Sequence, residues 1–382
     1  MNKITRKILI EKILLLKKDE IDEFYQTAIP DSHVVEKKYK NKFMYSLNYS
    51  STFRKIQSNI NTVLNPLLDL NNSAIAYRTG FSYFDFLEPH AKNYHFLRID
   101  ISSFFHSLNV DDVKETISQY IDDEVVNTKH NQKLIDVIIK CITYTIPTKF
   151  ENKNFHDKTI LPMGFSTSPI ISNISFRKID ILIQKLCVKL NITYTRYADD
   201  MLFSSPRNKK TIHSEFFLKE IKILVSLLGL KINNKKTIIK SHTISLNGYI
   251  IQNQIRLTGF AGLFSPLSPS EIRLSNKKTV IIDKLLHHIL VKKNSNEEIL
   301  KKLFKQDVRK MMRYGNREKY VKAYSLDQIL NKLTGYRSFL LSIISHNTKF
   351  KSTSNETIEK YKIQINKIEK CINILDKKKI HT

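Results

Sequence analysis

The chain has 382 residues, with 63 Lys or Arg against 36 Asp or Glu, and a formal net charge of +27. A hydrophobic content of 41% excludes a disordered chain, and the length allows two or three subdomains. The basic excess predicts a polyanionic partner, because low-GC coding enriches Lys without thinning the acids. Cys141, Cys187 and Cys371 are far apart and form no CxxC pair, which argues against a structural zinc site or a disulfide framework. The N-terminus, MNKITRKILIEKILLLKKDEIDEFYQ, is charged throughout and reads as an amphipathic helix, not a signal peptide. No apolar run reaches the roughly 18–20 residues of a membrane span. A cytoplasmic protein with no membrane contact is expected.

In chain order, residues 1–30 read as helical, ending near Pro30, and a short strand is expected at Phe43–Tyr49. Ile56, Ile60, Val63, Leu64, Leu67 and Leu68 mark a helix, followed by the loop RTGFSYF. HFLRIDISSFF reads as a buried strand, Phe96–Ile101, running directly into a helix. Residues 131–145 are apolar over a helical length, and LPMGFSTSPIISNISF is a loop leading into a helix through about Leu190. ITYTRYADDMLFSS then gives two β-rich runs about a polar turn, a hairpin. HSEFFLKEIKILVSLLGL is an amphipathic helix with Gly229 as its C-cap, and HTISLNGYIIQNQIRLTG is a second hairpin. Residues 263–276 read as a linker with two prolines. Beyond it the pattern is helical, and residues 271–382 carry 26 Lys or Arg against 11 Asp or Glu. A solvated face accounts for any one of the basic blocks; their accumulation favours a nucleic-acid grip.

The two adjacent acids Asp199 and Asp200 admit two readings. Asp is favoured in turns because its side chain bonds to nearby backbone, so the pair could be only a turn. A third acid, Asp100, ends an apolar strand about a hundred residues earlier. Carboxylates on a strand end and a hairpin tip supply a platform for two Mg²⁺ ions roughly 3.5–4 Å apart, the arrangement phosphoryl transfer to a growing chain uses. Mg²⁺ takes oxygen ligands, few of them carboxylates.

On these segments the chain resembles reverse transcriptases. RYADD is similar to the family's catalytic hairpin, and LRIDISSFF to the strand that carries its first metal-binding carboxylate. LPMGFSTSPIISN is similar to the loop and helix facing the incoming base pair, matching at Pro162, Gly164, Ser168, Pro169, Ser172 and Asn173. LGLKINNKKT matches the segment after the hairpin at Asn233, Lys236 and Thr237, LNGY sits at the primer-grip hairpin, and FRKI resembles the fingers motif, without the Lys and Gly-Gly that usually precede its Arg.

The resemblance implies an α+β right-hand polymerase fold: fingers, a palm with an antiparallel sheet, and a helical thumb. Residues 1–95 would hold the N-terminal helix and fingers, 96–262 the palm with fingers elements inserted at about 121–160, and 263–382 the linker and basic thumb. It implies Asp100, Asp199, Asp200 and the Ile101 carbonyl as metal ligands, with Asp200 the more structural of the acids. Lys236 becomes the candidate for protonating pyrophosphate or neutralising its charge, though a surface Lys beside two others reads equally as solvated. Arg54 would contact the triphosphate. Phe105 would be the gate against the ribose 2′-hydroxyl, or else an ordinary core Phe. Met163 (usually Gln), Gly164 and Tyr197 would lie at the substrate. Ser168, Asn173, Gly248, Lys301, Lys302, Lys305, Arg309 and Lys310 would contact nucleic acid.

The cofactor implied is Mg²⁺, two ions, with Mn²⁺ able to substitute. The partners implied are dNTPs, a noncoding RNA template and an RNA–DNA duplex, with a second reverse transcriptase or a second copy of the chain as further candidates. The compact layout resembles bacterial retron and defence-associated enzymes. His90 is present where retron enzymes carry Asn-Ala-x-x-His, but Phe86 and Leu87 replace Asn-Ala, and Leu246-Asn247-Gly248 replaces Val-Thr-Gly. Those departures favour the defence-associated class, including the smaller enzyme of a type-three, two-polymerase system, over a typical retron enzyme. Two rivals stand: a catalytically idle RNA-binding scaffold, against which the intact acids speak, and an RNA-dependent RNA polymerase, against which Phe105 speaks.

Overall fold

Val34–Tyr39 (β1) and Lys42–Leu47 (β2) pair antiparallel in the computed structural model, which describes residues 3–40, 42–128, 131–253, 270–312 and 317–380. Cross-strand partners Val34 and Leu47, and Glu36 and Tyr45, share the inward face, where Val34, Tyr45 and Leu47 are buried. The strand expected at 43–49 is thus the second arm of a hairpin. Its first arm escapes the sequence because VVEKKY has no apolar alternation to show. Thr52–Leu64 is a helix with Phe53, Ile56, Gln57, Ile60 and Leu64 buried, starting four residues earlier than its apolar periodicity suggests. The expected N-terminal helix is interrupted: a helical turn and π-helix over residues 6–14 end at Leu15, whose φ is +53°, and Lys18–Gln26 follows.

His95–Asp100 (β3) pairs antiparallel with Asp200–Ser205 (β5), which pairs with Thr193–Tyr197 (β4). A fourth, edge strand that begins at Ile238 (β6) lies on the other side of β3. All of β5 and all of β3 but Arg98 are buried, with the apolar Met201–Phe203 and Phe96, Leu97 and Ile99 at their centres. The helix Ser168–Leu190 has Pro169 in its first turn and ends at Asn191 in the left-handed region. Glu215–Ser226 is capped by the Ser214 hydroxyl, and Gly229, with φ +67°, closes the turn after it. Leu134–Ile142 is the apolar helix expected within 131–145. These elements belong to one compact unit, formed by residues up to Phe86 together with His95–Ile239.

The second unit contains Leu87–Tyr94 and the chain from Lys240 on. Thr243–Leu246 (β7), Tyr249–Gln252 (β8) and Glu271–Leu274 (β9) form a three-stranded sheet. β9 occupies part of the stretch read as a linker; residues 263–269 of that stretch lie outside the described residues. Helices Asn276–Leu290, Asn296–Phe304, Glu318–Phe350 and Asn355–Ile380 supply the buried Leu285, Ile299, Leu300, Ile329, Leu333, Leu340 and Ile368. Tyr361 ties helix to sheet, its hydroxyl accepting from the Leu274 amide at 2.9 Å.

Candidate active site

Two residues, Ala198 and Asp199, join β4 to β5. Ala198 has φ +57°, in a first-turn position where glycine is usual, so the turn is held in a conformation it would not choose alone. The holder is Arg196, fully buried beneath it. One terminal nitrogen donates to the Ala198 carbonyl and to Asn173 Oδ1, each at 3.0 Å. Its other nitrogens donate to both Asp180 oxygens at 2.9 and 2.6 Å, and Tyr194 donates to Asp180 at 2.7 Å. An ion pair with neither partner exposed survives only when its remaining hydrogen bonds are made, as they are here.

The register pairs Asp100 with Asp200 directly, and the Ile101 amide donates to the Asp199 carbonyl at 3.0 Å. In extended backbone a residue's N–H and C=O point the same way, so the Ile101 carbonyl also faces the hairpin turn. Each acid has its own cation. Lys236 Nζ lies 2.9 and 3.0 Å from the Asp100 oxygens, placed there because the Asn233 amide donates to the Asp100 carbonyl. Lys42 Nζ, on β2, is 3.8 Å from Asp199. Arg98 grips both oxygens of Asp200 at 2.7–3.0 Å. Burial raises the Asp200 carboxyl above its usual range; Arg98 opposes that shift, and Asp199 and Asp100 add to it.

Asp100, Ile101, Asp199, Lys236, Phe105 and Met163 line one cavity of about 520 Å³. Lys42, Tyr77 and His106 line it too, and the sequence did not single them out. Lys42 is lost in a basic run, and nothing local marks Tyr77 or His106. The Met163 amide donates to His106 Nε2 at 3.0 Å, and the Met163 carbonyl accepts from the Tyr45 amide at 2.8 Å. Burial lowers the His106 pKa to about 4, so the ring stays neutral and able to accept. Gly164 has φ +112°, and a Cβ there would lie 2.4 Å from the Tyr45 carbonyl oxygen, so this close approach of loop to β2 requires glycine.

Other expected site residues are placed elsewhere. Arg54 is exposed on its helix, its guanidinium over the Tyr49 ring at 4.1 Å, and does not line the cavity. Ser168 and Asn173 are buried: Ser168 donates to the Pro162 carbonyl, and Asn173 donates to the Ala76 carbonyl besides bonding Arg196. Both brace the interior and cannot reach a nucleic acid as placed. The Tyr197 ring packs edge-on against Tyr83 at 4.9 Å. In the second unit, Asn247 and Gly248 have φ +48° and +90°, the two-residue turn an Asn-Gly hairpin favours. The expected basic grip is largely neutralised: Lys302 pairs with Glu298, Lys301 with Asp307, and Arg309 with both Glu297 and Glu318. The Arg309 pairing holds its pKa above the usual range. Lys305 and Lys310 have no ion pair among the described residues.

Among the described residues no three His, Cys, Asp or Glu side chains converge as a cage for a metal ion. Two carboxylates on one cavity, with the Ile101 carbonyl on the hairpin side of its strand, are nonetheless a donor set of the kind Mg²⁺ uses when substrate phosphates and water complete its shell. A strand-end acid across from a hairpin acid, on an antiparallel sheet backed by helices, defines the palm of a right-hand nucleotide polymerase. The family model for reverse transcriptase (RNA-dependent DNA polymerase) matches residues 35–260, and the chain belongs to that family. It is an RNA-directed DNA polymerase by that membership, and such domains generally use divalent metal ions, typically Mg²⁺.

The chain is 27% identical to the retron Ec86 reverse transcriptase of Escherichia coli over 269 residues, 70% of this chain and 72% of that one. It is 35% identical to the E. coli retron Ec73 reverse transcriptase over 143 residues, 36% of this chain and 42% of that one. A solved telomerase from Candida albicans aligns over 94% of this chain and 67% of its own, at 10% identity and a TM-score of 0.44. Among the described residues no helix is long and apolar enough to cross a membrane.

Proposed function

We propose that Asp100, Asp199 and the Ile101 carbonyl hold the metal ions for DNA synthesis on an RNA template, with Asp200 kept by Arg98 as a structural neighbour. The observation that carries this is the meeting of Asp100 and Asp199, about a hundred residues apart in sequence, on one cavity with Lys42 and Lys236. Two Mg²⁺ ions bound there would activate the primer 3′-hydroxyl and neutralise the charge of the departing pyrophosphate. Lys42 and Lys236 meet the triphosphate, and Lys236 is the proton source or charge neutraliser for pyrophosphate. Phe105 forms the sugar-side wall and excludes a 2′-hydroxyl by bulk; Met163 offers an apolar contact where the family's Gln would hydrogen-bond. The fingers, palm and thumb boundaries near residues 95 and 262, with fingers elements at about 121–160, belong to the same proposal.

The template we propose is a noncoding RNA, copied in anti-phage defence. The departures at Phe86-Leu87 and Leu246-Asn247 support that class. A second reading, a retron enzyme making RNA-linked DNA, is favoured by the names of the matched relatives. Sequencing the nucleic acid that co-purifies with the chain separates the two: a branched RNA–DNA product selects the retron reading. For the site itself, Asp199→Asn keeps size and turn preference and removes the charge. It should lower dNTP incorporation by several orders of magnitude while thermal stability and RNA retention stay unchanged. Near-normal incorporation would mean that the pair is only a turn.

A further inference from the structure

The three acids of the site have cations of two kinds. Asp200 is held by an arginine whose planar fork engages both carboxylate oxygens, with side-chain exposures of only 19% and 12%. Such a pair is fixed in geometry. Asp100 and Asp199 are held by lysines, point charges on flexible four-carbon stems. The Lys236 and Lys42 side chains are 49% and 55% exposed, whereas Asp100 is 6% exposed. The lysines are free to swing into the cavity or into water, and Asp100 is not free to follow.

Lys236 Nζ, 2.9–3.0 Å from the Asp100 oxygens, stands where a divalent cation needs to be, Lys42 Nζ at 3.8 Å stands beside the matching place at Asp199, and the charge of each repels that cation. We propose that Lys42 and Lys236 are placeholder counter-ions: each keeps its carboxylate charge-balanced until a metal ion takes it, and then turns to the phosphates of the nucleotide in the same cavity. The inference rests on the reading of Asp100 and Asp199 as the metal-binding pair. It makes metal binding and nucleotide binding mutually favourable, because the metal frees the cations that the triphosphate needs. The arginine on Asp200 never leaves, so that carboxylate stays out of the exchange.

The signs of the effects are opposite, which a merely structural role would not produce. Removing a placeholder should tighten metal binding without nucleotide and weaken nucleotide binding with metal. Mn²⁺ is titrated into the full chain, without nucleotide, and free Mn²⁺ is read by electron paramagnetic resonance. Lys236→Gln and Lys42→Gln should each tighten Mn²⁺ by about two- to fivefold, the scale of a partly exposed ion pair. Lys236→Arg should loosen it, since a guanidinium fork would grip Asp100 as Arg98 grips Asp200. On a dideoxy-terminated primer–template with Mg²⁺, both Gln variants should bind dNTP more weakly than the parent chain. Lys42 lies at the exposed end of its hairpin, so Lys42→Gln keeps the test open if Lys236→Gln fails to fold. Unchanged or weaker Mn²⁺ binding by the folded Gln variants overturns the placeholder role. Asp199→Asn with undiminished Mn²⁺ binding would instead overturn the metal-site reading beneath it, and the inference with it.

Discussion

The two units handle charge in opposite ways. In the first, three acids sit in a basic surrounding and each is matched by one cation: Asp100 by Lys236, Asp199 by Lys42, Asp200 by Arg98. In the second, much of the basic block at 301–310 is matched by nearby acids: Lys301 by Asp307, Lys302 by Glu298 and Arg309 by Glu297. Net charge therefore says what a chain attracts overall and not which groups are free to do the attracting. In the first unit two acids, Asp100 and Asp199, face a cavity, where their cations can be exchanged. Much of the majority charge in this block is spent on its neighbours and is poorly placed to grip phosphate.

The largest effect that sharpens this contrast comes from the acids taken singly. Asp100→Asn should reduce dNTP incorporation by several orders of magnitude, as a member of a metal platform, while Asp200→Asn should cost about tenfold or less because Arg98 already occupies it. Equal losses in a primer-extension assay would erase the distinction between exchangeable and fixed pairs. Next is the support beneath the turn. Arg196→Met leaves the Asp180 charge buried without its counter-ion, so equilibrium unfolding should show a loss of about 3–5 kcal/mol. A loss under about 1 kcal/mol would show that the turn stands without it.

A smaller effect is read by pH. His106 falls from 6.5 to about 4 on folding, so the unfolded chain binds its proton first on acidification. The stability due to the neutral ring is full above pH 6.5 and lost as pH drops toward 4. In His106→Gln the stability lost over that interval should shrink, and an unchanged pH slope would remove His106 as its source. The smallest effect concerns the second unit. Replacing Lys301, Lys302, Lys305, Arg309 and Lys310 with Gln should lower the log–log salt slope of RNA binding by about two contacts, roughly 1.4–1.8 in all, because only Lys305 and Lys310 lack acid partners among the described residues. A drop of roughly 3.5–4.5 would mean that RNA displaces every one of those internal partners.

Local chemistry made a large part of this molecule legible. A largely apolar run ending in Asp100, two β-rich runs about Ala198-Asp199, and an Asn-Gly hairpin each follow from pleat and turn preferences that a few neighbouring residues decide. What stayed hidden depends on residues far apart. The strand Val34–Tyr39 carries three charges in six residues, so only its pairing with Lys42–Leu47 makes it a strand. Arg196 reads as one more basic residue until Asp180 is found buried opposite it, though an acid at the spacing of Phe176, Ile183 and Cys187 on an apolar helix face was a usable signal.

By itself the sequence determined most of the apolar strands and helices around Asp100 and the Asp199-Asp200 hairpin, and the basic balance, because those rest on residue type and short-range spacing. Only the tertiary structure decided which acid faces a displaceable lysine and which a fixed arginine, which lysines are spent on neighbours, and that Ser168 and Asn173 are interior braces. Those outcomes depend on distances of a few ångströms between segments up to about a hundred and forty residues apart, as from Asp100 to Lys236. Side-chain pairing at that range is set by strand register and helix packing, which residue type alone does not encode.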